Sequence, residues 1–201
     1  EGLTRLAGDS TIIFSVQNHS ELMNNRIVSI DGNQNSGIMV ATAMGLSEVT
    51  KDNKVKKILE ETDIKKIRVA DDGTVFCLKE NELVRVDSDG KINRLSVVNG
   101  LPEKSITDLV LFNDTLFLGS ASGGLFSYSK GIFSNNLCSD NNDSVLSLAV
   151  DSGGKLMFVN KKNELFLFDG EFCSKKNMPD KLSYDGEVKA LVLKNEKIKL
   201  L

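Results

Sequence analysis

Side chains of the kinds that act in catalysis or metal binding are sparse in this sequence of 201 residues. Its only histidine, His19, lies in the polar stretch Gln17 to Ser20, which we expect to be a surface loop. Contact with a ligand, or a catalytic role, stays open for His19 beside that of a plain loop residue. The run Gly119 to Gly124 lies between predicted strands, which indicates a turn and not a phosphate-binding loop before a helix.

Acidic side chains cluster at three places, each of which reads as a turn: Asp71-Asp72, Asp87 to Asp89, and Asp140 to Asp143. Aspartate in a turn commonly caps backbone donors, and metal binding is the alternative. The turn interpretation is the one we adopt, so we expect neither a metal nor a cofactor. Together with the isolated histidine, this predicts that the segment is not an enzyme.

The three cysteines are Cys77, Cys138 and Cys173. They lack the C-x-x-C spacing typical of a zinc site, and an odd number cannot all be paired within one chain. We therefore expect neither a zinc site nor a disulfide framework. Cys77 stands in the apolar run Val75 to Leu78, where a small buried hydrophobic side chain is its predicted role.

Charge and hydropathy exclude two classes of partner. The net charge of −3 and the isoelectric point near 5.3 leave no basic footprint for nucleic acid or anionic lipid. No apolar run approaches the roughly 18 residues that a membrane-spanning helix needs, so we expect no direct membrane insertion by this segment.

The elements that must position these residues are short strands that repeat. Ser105 to Phe133 reads as four strands separated by three turn signals, at Asn113-Asp114, Ser120 to Gly124 and Ser129 to Gly131. Four antiparallel strands within about thirty residues, with no room for a helix, are the make-up of one β-propeller blade. The turn residues asparagine, aspartate and glycine supply the positive φ angles that tight reversals need.

Two apolar markers recur in the same phase. The first, an apolar residue followed three positions later by another, begins at Leu3, Leu46, Leu83, Leu125 and Leu165. The second begins at Ile64, Ile106, Val145 and Val188. Both repeat at about forty residues, the length of a propeller blade. Between them stand continuously apolar second strands, which indicates strands covered on both faces: Ile38 to Val40, Val75 to Leu78, Leu116 to Leu118 and Leu156 to Val159.

We predict an all-β fold, a β-propeller of four-stranded antiparallel blades, with a single domain over residues 1–201. The blade repeats are expected at about 26–63, 64–104, 105–143 and 144–185, with a fifth blade split between 186–201 and 1–16. Either the split blade closes a five-bladed ring by pairing the termini, or the chain is a five-blade section of a larger propeller. The missing initiator methionine and the strand at the end favour a section.

Asn99 to Tyr128 resembles the repeat of the two-component regulator propeller family. The matching residues are Gly100-Leu101-Pro102, Ile106, Leu116 to Gly119 and Gly123-Gly124-Leu125, and Ala41-Thr42 with Gly45-Leu46 matches in an earlier repeat. Ser120 replaces the usual threonine, and the customary tryptophan of the second strand is absent. Ile64 to Leu95 is looser and is equally similar to NHL or streptogramin-lyase repeats.

The resemblance implies a sensor module. Propellers of this family are similar to the extracytoplasmic halves of bacterial hybrid histidine kinases, especially those that respond to saccharides. It implies a periplasmic or extracellular location and a small molecule or oligosaccharide as ligand, while a protein partner or a homodimer stays open. Two other functions remain as alternatives: a protein-interaction scaffold, and a metal-dependent propeller enzyme of the lactonase or lyase type.

Propeller geometry predicts where a ligand would bind. The loops between second and third strands, and those between blades, share one face. Polar side chains stand there in register and would suit a neutral, hydroxyl-rich ligand: Thr42, Lys79, Ser120, Asn160, His19 and Asn99. The alternative for each is that it caps a turn and meets water.

Overall fold

The computed structural model describes residues 2–33, 37–103, 105–121, 123–134, 137–138, 144–150, 154–177, 191–194 and 197–200. Within them the protein is built from β-strands, with two short 3-10 helices, Ser20–Leu22 and Val97–Asn99. The chain divides into two compact units, residues 1–95 and 96–201. Each unit is described by itself below.

Unit 1 consists of three antiparallel sheets whose strands follow one another in sequence order. The first is the pair β1 (Leu3–Ala7) and β2 (Ser10–Phe14). The second comprises β3 (Ile27–Gly32), β4 (Ile38–Thr42), β5 (Gly45–Val49) and β6 (Val55–Glu60). The third comprises β7 (Lys66–Val69), β8 (Val75–Leu78), β9 (Leu83–Val86) and β10 (Ile92–Leu95).

Unit 2 repeats the same plan with two four-stranded sheets and one strand pair. The first sheet comprises β11 (Ile106–Phe112), β12 (Thr115–Ser120), β13 (Gly124–Ser129) and β14 (Ile132–Ser134). The second comprises β15 (Val145–Val150), β16 (Leu156–Asn160), β17 (Leu165–Phe168) and β18 (Cys173–Lys176). The pair is β19 (Leu191–Lys194) and β20 (Lys197–Leu200).

Each four-stranded sheet lies inside one predicted repeat, and the all-β prediction is confirmed. The second strands β4, β8, β12 and β16 are almost wholly buried, as their continuous apolar runs predicted. The turn between β11 and β12 has positive φ at both Asn113 (47°) and Asp114 (56°), which is the conformation of a two-residue hairpin turn. Val188 of the second marker lies outside the described residues, as do Asp140 to Asp143. The single domain and the split blade stay predictions.

The cores between neighbouring sheets differ between the units. In unit 1, aliphatic side chains of β4 and β5 pack against those of β7 to β9, with Ala41, Leu46, Ile67 and Val84 fully buried. In unit 2, the cluster between the two four-stranded sheets is rich in phenylalanine, and Phe158 stacks on Phe166 with ring centroids 5.0 Å apart. Aromatic side chains bury the largest apolar areas of any residue type, so this cluster anchors unit 2.

The first strands of consecutive sheets are joined by side chains that accept backbone hydrogen bonds. In unit 1, the Ile67 N–H donates to Ser29 Oγ at 3.2 Å. In unit 2, the Leu148 N–H donates to Asp108 Oδ2 at 2.8 Å, and Ser147 Oγ donates to the same oxygen at 3.0 Å. Ser29, Asp108 and Ser147 each follow a register shift in the pairing of first and second strands. A bulge of this kind redirects the side chains that follow it.

One cysteine prediction is wrong and one is confirmed. Cys138 and Cys173 form a disulfide, with Cα atoms 5.4 Å apart, although their 35-residue separation gave no pairing signal in the sequence. The bond joins the segment after β14 to the start of β18, because packing in the aromatic cluster brings the two residues together. Cys77 is a free, fully buried residue of β8, as predicted, and burial raises the pKa of its thiol to about 12.

Candidate functional site

An open cleft in unit 1 lies where the turn between β4 and β5 meets the segment that leaves β6. Its volume is about 380 Å³, and the residues that line it are Met23, Met44, Glu60, Glu61 and Thr62. Met44 stands in the β4–β5 turn, and Glu60 to Thr62 lead towards the next sheet. The cleft is thus built from a second-to-third-strand turn and a sheet-to-sheet connection, the two kinds of loop expected to carry a site.

Close backbone packing shapes one wall of the cleft. A Cβ on Gly45 would lie 2.4 Å from the Leu59 carbonyl oxygen and 2.5 Å from Met23 Cε, so only glycine leaves room for the Met23 side chain. Met23 has φ of 68°, in the left-handed region, and its N–H donates to Ser20 O at 3.0 Å. A non-glycine residue in this conformation costs roughly 1–3 kcal/mol, so the surrounding packing must hold it there.

Glu61 joins the cleft to a group of ion pairs. Its side chain is only 10% exposed, and its carboxylate contacts Lys79 Nζ and Arg94 Nη2, each at 2.5 Å. Arg94 also contacts Glu82 at 2.9 Å. Burial acts to raise the pKa of Glu61, but the hydrogen bonds from Lys79 and Arg94 outweigh it and hold the pKa below its ordinary value. Glu61 is therefore a fixed, ionised carboxylate at neutral pH.

Two of the predicted ligand residues adjoin this cleft without lining it. Thr42 is fully buried, and its hydroxyl donates to Gly45 O and accepts the Met44 N–H, both at 3.2 Å. It therefore fixes the turn that carries Met44. Lys79 is largely buried and holds the carboxylate of Glu61. Both residues thus contact residues that line the cleft, Met44 and Glu61.

The other four predicted residues have different surroundings. Ser120 and Asn160 of unit 2 are buried at the ends of β12 and β16, and Asn160 Oδ1 accepts the N–H groups of Lys162 and Glu164 at 3.0 and 2.9 Å. His19 is half-buried with its ring 5.3 Å from that of Phe14. Asn99 is exposed and its Oδ1 accepts the Ser96 N–H at 3.0 Å. A ligand role for the six residues stays a prediction.

The residues that line the cleft carried no clear signal in the sequence. Glu60, the last residue of β6, and the two residues after it, Glu61 and Thr62, form no recognisable motif, and Met23 and Met44 belong to no repeated marker. The cleft lies at one of the second-to-third-strand turns named by the rule that turns and sheet connections share one face, but none of the six residues selected by that rule lines it. Among the residues that the structure describes, no group of three or more His, Cys, Asp or Glu side chains is arranged to hold a metal ion.

None of the helices in the described part of the chain has the length and apolar composition needed to cross a membrane.

No protein-family model matches the sequence, and no curated protein matches it either. Solved structures do match in fold. One is the extracellular domain of a hybrid two-component system, BT4673, from B. thetaiotaomicron, with a TM-score of 0.60 and 18% identity. That alignment covers 84% of this chain and 24% of the other.

Two further structures are similar at comparable levels. Virginiamycin B lyase from Staphylococcus aureus, in a catalytically inactive form with quinupristin, gives a TM-score of 0.66 at 14% identity and covers 87% of this chain and 62% of its own. PorZ, an essential surface component of the type-IX secretion system of Porphyromonas gingivalis, gives 0.63 at 13% identity, over 88% and 25% of the two chains.

These similarities show the fold, which is a β-propeller of antiparallel sheets, as the repeat pattern predicted. The chain spans about a quarter of the two-component domain that it matches, and less than two thirds of the lyase.

Proposed function

We propose that this chain is a non-catalytic, ligand-binding part of a sensor propeller. The observation that carries the proposal is the cleft lined by Met23, Met44 and Glu60 to Thr62. Its volume of about 380 Å³ lies within the range of roughly 300–1,000 Å³ that is typical of small-molecule sites. Its walls are held by a buried turn cap at Thr42 and by the ion pairs of Glu61, so the shape exists before any ligand arrives.

We further propose that the protein works outside the cytoplasm. The support is chemical: a disulfide such as Cys138–Cys173 forms and persists in oxidising compartments and is rare in the cytosol. The matches to an extracellular two-component domain and to a bacterial surface component point in the same direction. Alkylation and mass analysis of protein from its native compartment would test this, and a free Cys173 thiol there would contradict it.

The test of ligand binding is calorimetry of the natural polypeptide against a panel of oligosaccharides, polyols and small organic ions. Thr62→Trp would fill the cleft, and Thr11→Trp places the same side chain on β2, away from the cleft. We expect at least one ligand to bind saturably, with affinity lowered about tenfold or more by Thr62→Trp and unchanged by Thr11→Trp. Absence of binding across the panel, or equal binding to both variants, would overturn the proposal.

A further inference from the structure

The polar side chains that line the cleft are predominantly acceptors. Both charged residues in the lining, Glu60 and Glu61, carry carboxylates. The hydroxyl of Thr62 already donates to Asp63 Oδ2 at 3.0 Å. The remaining lining residues, Met23 and Met44, present thioethers, which accept hydrogen bonds weakly and donate none. A ligand that matches this lining must therefore supply the donors itself.

The two carboxylates differ in how firmly they are held. Glu61 is fixed by Lys79 and Arg94 and stays ionised, yet a carboxylate offers about four lone-pair sites, so two bonds leave acceptor capacity. Glu60 is mostly exposed, and its partner is the exposed Lys57 of the same strand. Surface pairs of this kind contribute little to stability, so a ligand cation can take the place of Lys57 at small cost.

The two methionines supply the apolar half of the surface. Methionine side chains are flexible and polarisable, so they adapt to alkyl or aromatic groups of different shape. Met23 is packed onto Gly45 and is thereby fixed, whereas Met44 is about half exposed and free to adjust to a ligand. An apolar body would remove the exposed surface of Met44 from water, which is favourable.

From this lining we infer that the ligand of the cleft is an organic ammonium ion with an apolar body, which binds with its N–H groups on the Glu60 and Glu61 carboxylates and its body against Met23 and Met44. The inference rests on the proposed function, because it names the ligand class of the same cleft. It differs from the hydroxyl-rich ligand suggested by the sequence, because the residues that line the cleft are not the six polar residues that the repeat register selected.

The experiment compares two probes of the same shape, benzylammonium and benzyl alcohol, by NMR titration of the natural polypeptide. We expect benzylammonium to bind about tenfold or more tightly than the alcohol, and more weakly as salt concentration rises. Glu60→Gln should lower the ammonium affinity by about threefold to tenfold and leave the alcohol unchanged. Glu80→Gln is the matched control, since Glu80 also pairs with a lysine, Lys65, but does not line the cleft.

The outcomes separate the inference from the proposed function. If benzyl alcohol or a polyol binds at the cleft as tightly as the ammonium probe, the ammonium inference is overturned and ligand binding stands. Equal losses in Glu60→Gln and Glu80→Gln would also overturn it, because the effect would then be one of net charge. If neither probe nor any member of the calorimetry panel binds, both proposals fall.

Discussion

The two units solve the same packing problem with different chemistry. In unit 1, the junction between the sheets β3–β6 and β7–β10 has an aliphatic core, closed at one end by the ion pairs of Glu61 with Lys79 and Arg94. In unit 2, the junction between β11–β14 and β15–β18 has an aromatic core and a disulfide. The repeat therefore constrains the backbone and the burial of side chains, whereas the side-chain interactions that hold neighbouring sheets together differ between the units.

What the junctions share is the hydrogen bond between first strands. The facing edge of a first strand carries N–H groups with no partner in its own sheet, and side chains from the preceding sheet accept hydrogen bonds from them in each unit. In unit 1, Ser29 Oγ accepts the Ile67 N–H at 3.2 Å and Asp31 Oδ2 accepts the Val69 N–H at 2.9 Å. In unit 2, the carboxylate of Asp108 accepts both the Leu148 N–H and the Ser147 hydroxyl of the next sheet. The backbone requirement is the same, and the number of side chains that meet it differs.

The largest expected effect comes from breaking the aromatic core. Phe158→Ala removes a ring that is 2% exposed and stacked on Phe166, so the free energy of unfolding should fall by about 3–5 kcal/mol. Urea denaturation measures it. Phe172→Ala is the control, because Phe172 is 66% exposed and its loss should cost no more than about 0.5 kcal/mol. Equal costs for the two would show that the cluster is not the anchor of unit 2.

The disulfide comes next in expected size. Cys173→Ser frees Cys138 and removes a constraint on a 35-residue separation, which should lower the free energy of unfolding by about 2–4 kcal/mol. Thermal melts with and without reductant provide the measurement: reductant should lower the Tm of the wild type and leave Cys173→Ser unchanged. A Tm shift of the variant equal to that of the wild type would contradict the assignment of the stabilisation to this bond.

The third prediction compares two side chains that bond one first strand to the next, Asp108 in unit 2 and Ser29 in unit 1. Asp108→Ala leaves the buried Leu148 N–H and Ser147 hydroxyl without their acceptor, at a cost of about 2–3 kcal/mol. Ser29→Ala removes a single neutral acceptor, at about 1 kcal/mol. Denaturation of both variants tests the ranking. If Ser29→Ala is the more damaging change, the interpretation that charge and number of bonds set the strength is wrong.

The smallest effect is expected at the ion pairs. Glu61→Gln should cost about 1–2 kcal/mol near neutral pH, because Lys79 and Arg94 lose their shared carboxylate. The folded-state pKa of Glu61 lies below the ordinary value of 4.5, so its stabilisation is present above that value and is lost as pH falls through the lowered pKa. The difference between wild type and variant should therefore shrink on acidification below about pH 4.5.

The measurement for this prediction is urea denaturation at a series of pH values. Glu80→Gln, which removes an exposed carboxylate paired with Lys65, should change stability by no more than about 0.5 kcal/mol at any of them. A gap between wild type and Glu61→Gln that widens in acid would reverse the sign of the argument and contradict it.

Part of the candidate site could be foreseen from the sequence. The repeat register named the β4–β5 turn among the loops of one face, because turn residues are a local signal. It selected Thr42 there, whose hydroxyl accepts the N–H of the lining residue Met44, and Lys79, which contacts the lining residue Glu61. A ligand role for both stays a prediction. No pattern in the sequence indicated the lining residues Glu60 to Thr62, because their place in the cleft depends on how the segment after β6 packs against the β4–β5 turn.

The all-β fold, the strand order within each repeat and the burial of the second strands were predictable from the sequence, because they follow from short apolar runs separated by glycine, aspartate and asparagine turns, from continuously apolar second strands and from a period of about forty residues. Tertiary structure decided the pairing of Cys138 with Cys173, the partners of Glu61 and the residues that line the cleft. Each of these joins residues from different elements, and sheet packing alone brings them within a few ångströms. No local pattern records that distance.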